Sequence, residues 1–273
     1  MLVQIEENVR EADVFVVQPS CHPVSDGLIE LLITLDALKH ASAGRITAVL
    51  PYFPYARSDK KDRPRISITA RLMADLIQTA GADRVLTMDL HSPQVQGFFH
   101  IPVDDLYALP VLCEAIEQKT FPNLVVVSPD AGFVTKARKF AKRLQAPLAV
   151  ADKERTDHTE QAEILSIIGD VRYRTALLVD DFVISGGTLV QAAIALKDLG
   201  ANNVYAAVTH GVFTDSTITA LDDSPIELLI ATNTVEPRIA ETSPKVEVVS
   251  VGPLFGEAVR RIHQRESISV LFD

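Results

Sequence analysis

One spacing occurs twice in this sequence and narrows the folds open to it. Gly81-Ala82 is followed by Val85 and, after the strand, by His91; Gly200-Ala201 is followed by Val204 and, after the strand, by His210, at the same offsets from glycine. Each glycine closes a run of helical period: Leu72, Leu76, Ile77 and Ala80 before Gly81, and Leu189, Ala193, Leu196 and Leu199 before Gly200. Glycine at that point suits the left-handed residue that ends a helix. Upstream, each copy has a run opening with arginine, Arg45-Ile46-Thr47-Ala48-Val49-Leu50 and Arg174-Thr175-Ala176-Leu177-Leu178-Val179. One α/β unit, duplicated, accounts for both copies, although such units share this spacing by necessity.

The rest of the chain extends the pattern. Apolar, β-branched runs at 13–17, 46–50, 84–88, 124–127, 147–150, 176–179, 204–208, 227–230 and 246–249 alternate with helical patterns. That alternation predicts an α/β fold with a largely parallel sheet. Several runs are continuously hydrophobic, as strands covered on both faces are. Leu28, Leu31, Leu32, Leu35 and Leu38 predict a first helix after a cap at Ser25 or Asp26. A length of 273 residues suits one large domain or two modest ones.

Charge and cysteine use exclude several classes. The formal net charge is −10, so no global field draws a nucleic-acid backbone to the chain. Phosphates must then be caught locally, by a few cations and backbone N–H groups. Cys21 and Cys113 have neither C-x-x-C nor zinc spacing and read as reduced thiols. Residues 1–10 hold Glu6 and Glu7 and no long apolar run, unlike a signal peptide. No uncharged apolar stretch reaches the ~18 residues of a membrane span. The expectation is a cytoplasmic protein that binds neither nucleic acid nor membrane.

The two halves differ most in the loop after the matching strand. In the first it is long, basic and proline-marked, Pro51-Tyr52-Phe53-Pro54-Tyr55-Ala56-Arg57-Ser58-Asp59-Lys60-Lys61-Asp62-Arg63-Pro64-Arg65. In the second it is Asp180-Asp181-Phe182-Val183-Ile184-Ser185-Gly186-Gly187-Thr188, acidic and then glycine-rich. Open α/β sheets place ligands at this edge. Two carboxylates at a strand end can grip a diol or a metal. Ser-Gly-Gly-Thr opening a helix lets backbone N–H groups and two hydroxyls meet a phosphate. Without the paired aspartates, a glycine-rich turn capping an ordinary helix would be the better reading.

These residues also carry a resemblance. Leu178-Val179-Asp180-Asp181 with Gly186-Gly187-Thr188 is similar to the phosphoribosyl-pyrophosphate (PRPP) loop of type I phosphoribosyltransferases. With it stand Asp89-Leu90-His91, Gln96-Gly97-Phe98-Phe99, Ile101-Pro102-Val103-Asp104, Ser128-Pro129-Asp130-Ala131-Gly132 and Thr209-His210-Gly211-Val212-Phe213. In this order, from about Val3 to the end, they resemble the ribose-phosphate diphosphokinases, or PRPP synthetases. The resemblance implies two duplicated phosphoribosyltransferase type I-like domains, 1–106 and 107–264, with the C-terminal stretch 265–273 returning to the first through a strand at Ile268–Phe272. It implies transfer of the pyrophosphoryl group of Mg·ATP to the anomeric hydroxyl of ribose 5-phosphate, giving PRPP and AMP for nucleotide biosynthesis. Carried over by position, Asp180, Asp181, Ser185, Gly186, Gly187 and Thr188 would hold ribose 5-phosphate, and Arg57, Asp59, Asp62 and His91 would meet ATP. His91 and Asp130 would place Mg²⁺, and Lys153 and Arg155 would be the catalytic cations. A homo-oligomer, dimers building a hexamer, is implied too.

The resemblance has departures. The family carries further N-terminal residues, Ser58 stands for a glutamine, Phe133 for a glycine, Glu154 for a basic residue, and Ile184-Ser185 for Asp-Thr. Phe133 would either crowd the site or pack into the core. A lone histidine such as His91 is more often packed or capping than a ligand, and Asp130 could simply begin a helix. Three readings follow: an active diphosphokinase, a catalytically silent regulatory homologue, and a phosphoribosyltransferase using PRPP and a base. The doubled architecture and Lys153-x-Arg155 disfavour the third.

Overall fold

The computed structural model describes residues 1–154, 164–236 and 242–272. Two compact units divide the chain: Met1–Tyr107 joined by the stretch from Gly252 onward, and Ala108–Val251.

In the first unit, β1 (Asp13–Val17), α1 (Val24–His40), β2 (Arg45–Leu50), α2 (Thr69–Ala80), β3 (Arg84–Met88) and β4 (Val103–Leu106) follow one another. The strands form a parallel sheet in the order β1-β2-β3-β4. Strand alternation sends Ile46, Ala48 and Leu50 to one face, where they join Leu31 and Leu35 of α1 and Ile77 of α2 in the core. Burying each large aliphatic side chain there contributes about 1.5–3 kcal/mol. Gly81 ends α2 with φ at 125°, and a Cβ there would lie 2.9 Å from the Lys39 side chain.

The second unit holds α3 (Leu109–Glu117), β5 (Leu124–Ser128), α4 (Val134–Arg143), β6 (Leu148–Glu154), β7 (Ile164–Ile168), β8 (Thr175–Val183), α5 (Gly187–Asp198), β9 (Asn203–Gly211), α6 (Asp215–Asp222), β10 (Ile226–Thr232) and β11 (Val246–Val249). Its sheet runs β11-β10-β9-β8-β5-β6-β7, parallel throughout except for β7, which is antiparallel to β6. The central strands are fully buried runs such as Val125–Val127 and Ala176–Val179, as a sheet covered on both faces requires.

The duplicated α/β architecture is present, with refinements. Ala48 pairs with Val85 and Ala176 with Val204. The register therefore aligns Thr47-Ala48 with Thr175-Ala176, and the two arginines sit one residue apart. His210 lies inside β9, not after it, because β9 extends through Gly211. Strand β8 likewise runs on through Val183, so Asp180 and Asp181 belong to the strand and not to the loop.

Strands β4 and β7 were not expected. Val-Asp-Asp-Leu has weak intrinsic strand preference; its pairing with β3, and the ion pair of Asp104 with Arg84, hold it in the sheet. Residues 268–272 are not a strand. Ser269–Leu271 form a 3-10 turn whose Ser269 amide donates to Ser267 Oγ at 3.2 Å, a local bond that competes with sheet pairing. The return to the first unit begins earlier, with α7 (Gly252–Gln264), which buries Phe255, Ala258 and Ile262. Arg45 ties it down, donating to Asp13 at 2.7 and 2.5 Å and to the Ile262 carbonyl at 3.0 Å.

Candidate functional site

In the second unit the candidate phosphate site grows out of β8. Asp181 is 4% exposed; Asp180, on the opposite strand face, is half-buried. The Asp181 amide donates to Asp180 Oδ1 at 2.9 Å. Burial, then the Asp181 charge and its hydrogen bond, push the Asp180 carboxyl well above the usual carboxylate range, and Asp130 adds to the push. Lys136 Nζ of α4 stands 4.0 Å from Asp181 Oδ2.

The chain then turns through Ile184 and Ser185 into α5. Gly186 takes φ 75° and ψ −11°, the left-handed region open to glycine at little cost. No side chain caps the first turn of α5. Its amides, with the exposed Ser185 and Thr188 hydroxyls, make an anion-receptive concavity. Thr217 braces the loop by donating from Oγ1 to the Ile184 carbonyl, while Thr214 and Thr217 form a capping box on α6. The backbone of Ile184 is thus held whatever its side chain.

Asp130 follows β5. Its Oδ1 accepts the Phe133 amide at 2.9 Å, and Ser128 Oγ donates to its carbonyl at 2.7 Å. The aspartate thus braces the bend before α4 without capping the helix, whose N-cap is Phe133, and its charge still reaches Asp180. Phe133 is only 8% exposed; the ring packs inward, with Lys136 Nζ 5.6 Å from its centroid.

In the first unit, the basic loop surrounds a cavity of about 330 Å³ lined by Arg57, Ser58, Lys60, Asp62 and Ile66. Arg57 and Asp62 thus share one concavity; Asp59 is half-buried beside it in sequence and is not among its lining residues. Ser58 closes the loop. Its Oγ lies 3.3 Å from Thr69 Oγ1, accepts the Thr69 amide at 3.3 Å and donates to the Ser67 carbonyl at 3.3 Å. After β3, Asp89 is buried with φ at 43°, and its amide donates to the Leu106 carbonyl at 2.8 Å. Asp105 Oδ1 accepts the Leu90 amide at 3.1 Å. His91 follows in an exposed bend. Its repeat partner His210 is 2% exposed and bonded through Nδ1 to Thr234 Oγ1 at 2.8 Å. Equal spacing has produced unlike histidines.

Lys153 lies in β6, its backbone in register with Leu165 of β7. Arg155 falls outside the described residues. Sequence reasoning passed over Lys136, Thr217 and Asp105. The three-residue step from Phe133 to Lys136 was the available signal for the first; the others depend on contacts distant in sequence.

Comparisons with known proteins agree with this geometry. Residues 1–81 match a family described as the N-terminal domain of ribose phosphate pyrophosphokinase, and residues 158–273 one described as a phosphoribosyl synthetase-associated domain. The chain is 52% identical over 271 residues to the ribose-phosphate pyrophosphokinase of Caldanaerobacter subterraneus subsp. tengcongensis, covering 99% of this chain and 85% of that protein. It is 50% identical over 272 residues to the Clostridium acetobutylicum protein of the same name, with the same coverage of both chains. The crystal structure of phosphoribosylpyrophosphate synthetase from Mycobacterium smegmatis superposes with a TM-score of 0.91 at 41% identity, over 97% of this chain and 87% of that one. With identity near one half over nearly its whole length, the chain belongs to the ribose-phosphate pyrophosphokinase family.

Proposed function

We propose that this protein makes PRPP, moving the pyrophosphoryl group of ATP onto the anomeric hydroxyl of ribose 5-phosphate. The anomeric oxygen bonds to the β-phosphorus, the bond to the α,β-bridging oxygen breaks, AMP leaves, and the hydroxyl proton is released. The observation that carries the reading is the β8–α5 junction, where an acidic pair adjoins an uncapped, glycine-started helix. The 5-phosphate would take the α5 amides with Ser185, Gly186, Gly187 and Thr188, and Asp180 and Asp181 would orient the ribose hydroxyls. In the first unit, Arg57, Asp59, Asp62 and His91 would meet ATP, with the basic loop supplying cations to the triphosphate. Lys153 and Arg155 would neutralise charge as it moves to the leaving group.

Mg²⁺ fits the donor set as a companion of the nucleotide. Among the described residues no three metal-ligating side chains converge, whereas Mg²⁺ commonly takes one or two carboxylates and fills its shell with phosphate oxygens and water. His91 in the first unit and Asp130 in the second are each candidate ligands; when bound it would neutralise the triphosphate. A homo-oligomer built from dimers into a hexamer, in the cytoplasm, completes the proposal. Light scattering at micromolar concentration that gave a strict monomer would remove that part.

A silent regulatory homologue is the second reading. Phe133 beside Asp130 bears on it, since a ring crowding the site would favour the silent homologue; its burial at 8% exposed supports the active enzyme. The test is AMP and PRPP formation from Mg·ATP and ribose 5-phosphate, with Lys153→Ala as control. Turnover that the control abolishes supports the enzyme. Binding of ribose 5-phosphate without turnover supports the silent homologue.

A further inference from the structure

Lys136 occupies the third position of α4, where the helix dipole disfavours a cation. Its compensation lies in tertiary contacts. The ammonium is 4.0 Å from Asp181 Oδ2 and 5.6 Å from the centre of the Phe133 ring, one helical step back. The second distance is within cation–π range. The Lys136 side chain is 25% exposed and that of Asp181 only 5%, so the pair meets where water screens it little. A carboxylate so buried requires a charged or hydrogen-bonding neighbour to remain in place.

Asp181 is nearly enclosed, at 4% exposed, whereas Asp180 beside it is half-buried. The Asp181 amide donates to Asp180 Oδ1, and the Asp181 carboxyl is itself hydrogen-bonded to that of Asp180, so a displaced Asp181 side chain disturbs its neighbour. We propose that Lys136 is a positioning residue for the sugar-binding acids: seated on the Phe133 ring, it anchors Asp181 and thereby presents Asp180 to the hydroxyls of the sugar phosphate. Phe133 is then the platform for that lysine. The inference rests on the reading of the β8–α5 junction as a ribose 5-phosphate site.

The experiment is steady-state kinetics with each substrate varied, on the full chain and its K136M, K136R and F133L variants, with circular dichroism to establish folding. K136M is expected to raise KM for ribose 5-phosphate about tenfold with kcat within about twofold and KM for ATP unchanged. K136R is expected to come back to within about threefold of the parent, and F133L, which keeps bulk but loses the aromatic face, to raise the same KM about threefold. An unchanged KM for ribose 5-phosphate in K136M, equal losses for both substrates, or no rescue by arginine overturns the inference while the enzyme reading stands. Should K136M fail to fold, K136R and F133L decide the matter: a parental KM in F133L, or a loss in K136R as large as tenfold, overturns it. A parent chain that takes up no ribose 5-phosphate by calorimetry overturns the functional reading and this inference with it.

Discussion

The Asp181 amide and the Asp180 carboxylate, neighbours on one strand, share a hydrogen bond of 2.9 Å. The bond spares Asp180 part of the cost of burial, yet its carboxyl still titrates well above 3.8, chiefly through burial and then the charge of Asp181. A raised folded pKa means the folded chain binds the extra proton, so stability falls as pH rises from the ordinary value through the folded one. Above the ordinary carboxylate range the Asp180 carboxyl is therefore a burden on the fold. Asp180→Asn is expected to raise the melting temperature at pH 7 and to flatten that fall. The same change weakens ribose 5-phosphate by about 1.5–3 kcal/mol, the scale of a hydrogen bond to a charged group. Calorimetric titration beside thermal unfolding checks both; a variant that loses stability and keeps affinity contradicts the assignment.

Ser58 joins the end of the basic loop to the start of α2 through Ser67 and Thr69. Ser58→Ala removes those contacts and is expected to cost about 1 kcal/mol of stability. Because Arg57 and Asp62 line the same cavity, KM for ATP should rise several-fold while KM for ribose 5-phosphate holds. Separate titration of the two substrates reads the difference.

The Asp13 carboxyl is held below 3.8 mainly by its hydrogen bonds from Arg45, against burial, with His263 adding to the effect. A depressed folded pKa supplies stability that is present above 3.8 and lost as pH falls through the folded value. Asp13→Asn should lower stability at pH 6 by about 1 kcal/mol after solvent screening, with the gap to the parent closing in strong acid. Melting curves from pH 2 to pH 7 test the sign. A gap that widens in acid contradicts it.

Cys113 is fully buried, and burial, then Glu117, push its thiol up to about 12. Native protein treated with iodoacetamide near pH 8 is expected to leave Cys113 unmodified, since only on the order of one thiol in ten thousand is then ionised. Denaturant should expose it. Peptide mapping by mass spectrometry distinguishes the two states.

Much of this molecule is legible from local pattern. Gly81 and Gly200 mark helix ends because the chain there takes positive φ, a backbone demand that glycine meets at least steric cost. The Ser-Gly-Gly-Thr run announces an anion-receptive helix start for the same reason, since amides and φ are properties of neighbours in sequence. Tertiary structure decided the remainder. Val103–Leu106 is a strand because β3 pairs with it, and 268–272 is not one because local serine bonds replace a partner strand. His91 and His210 share an offset yet one is exposed and the other buried, because β9 runs on through Gly211, pairing His210 with β8 and β10, whereas β3 stops at Met88. Lys136 meets Asp181 across forty-five positions of chain. Such electrostatic contacts depend on which elements pack together, and no spacing within a single element encodes them.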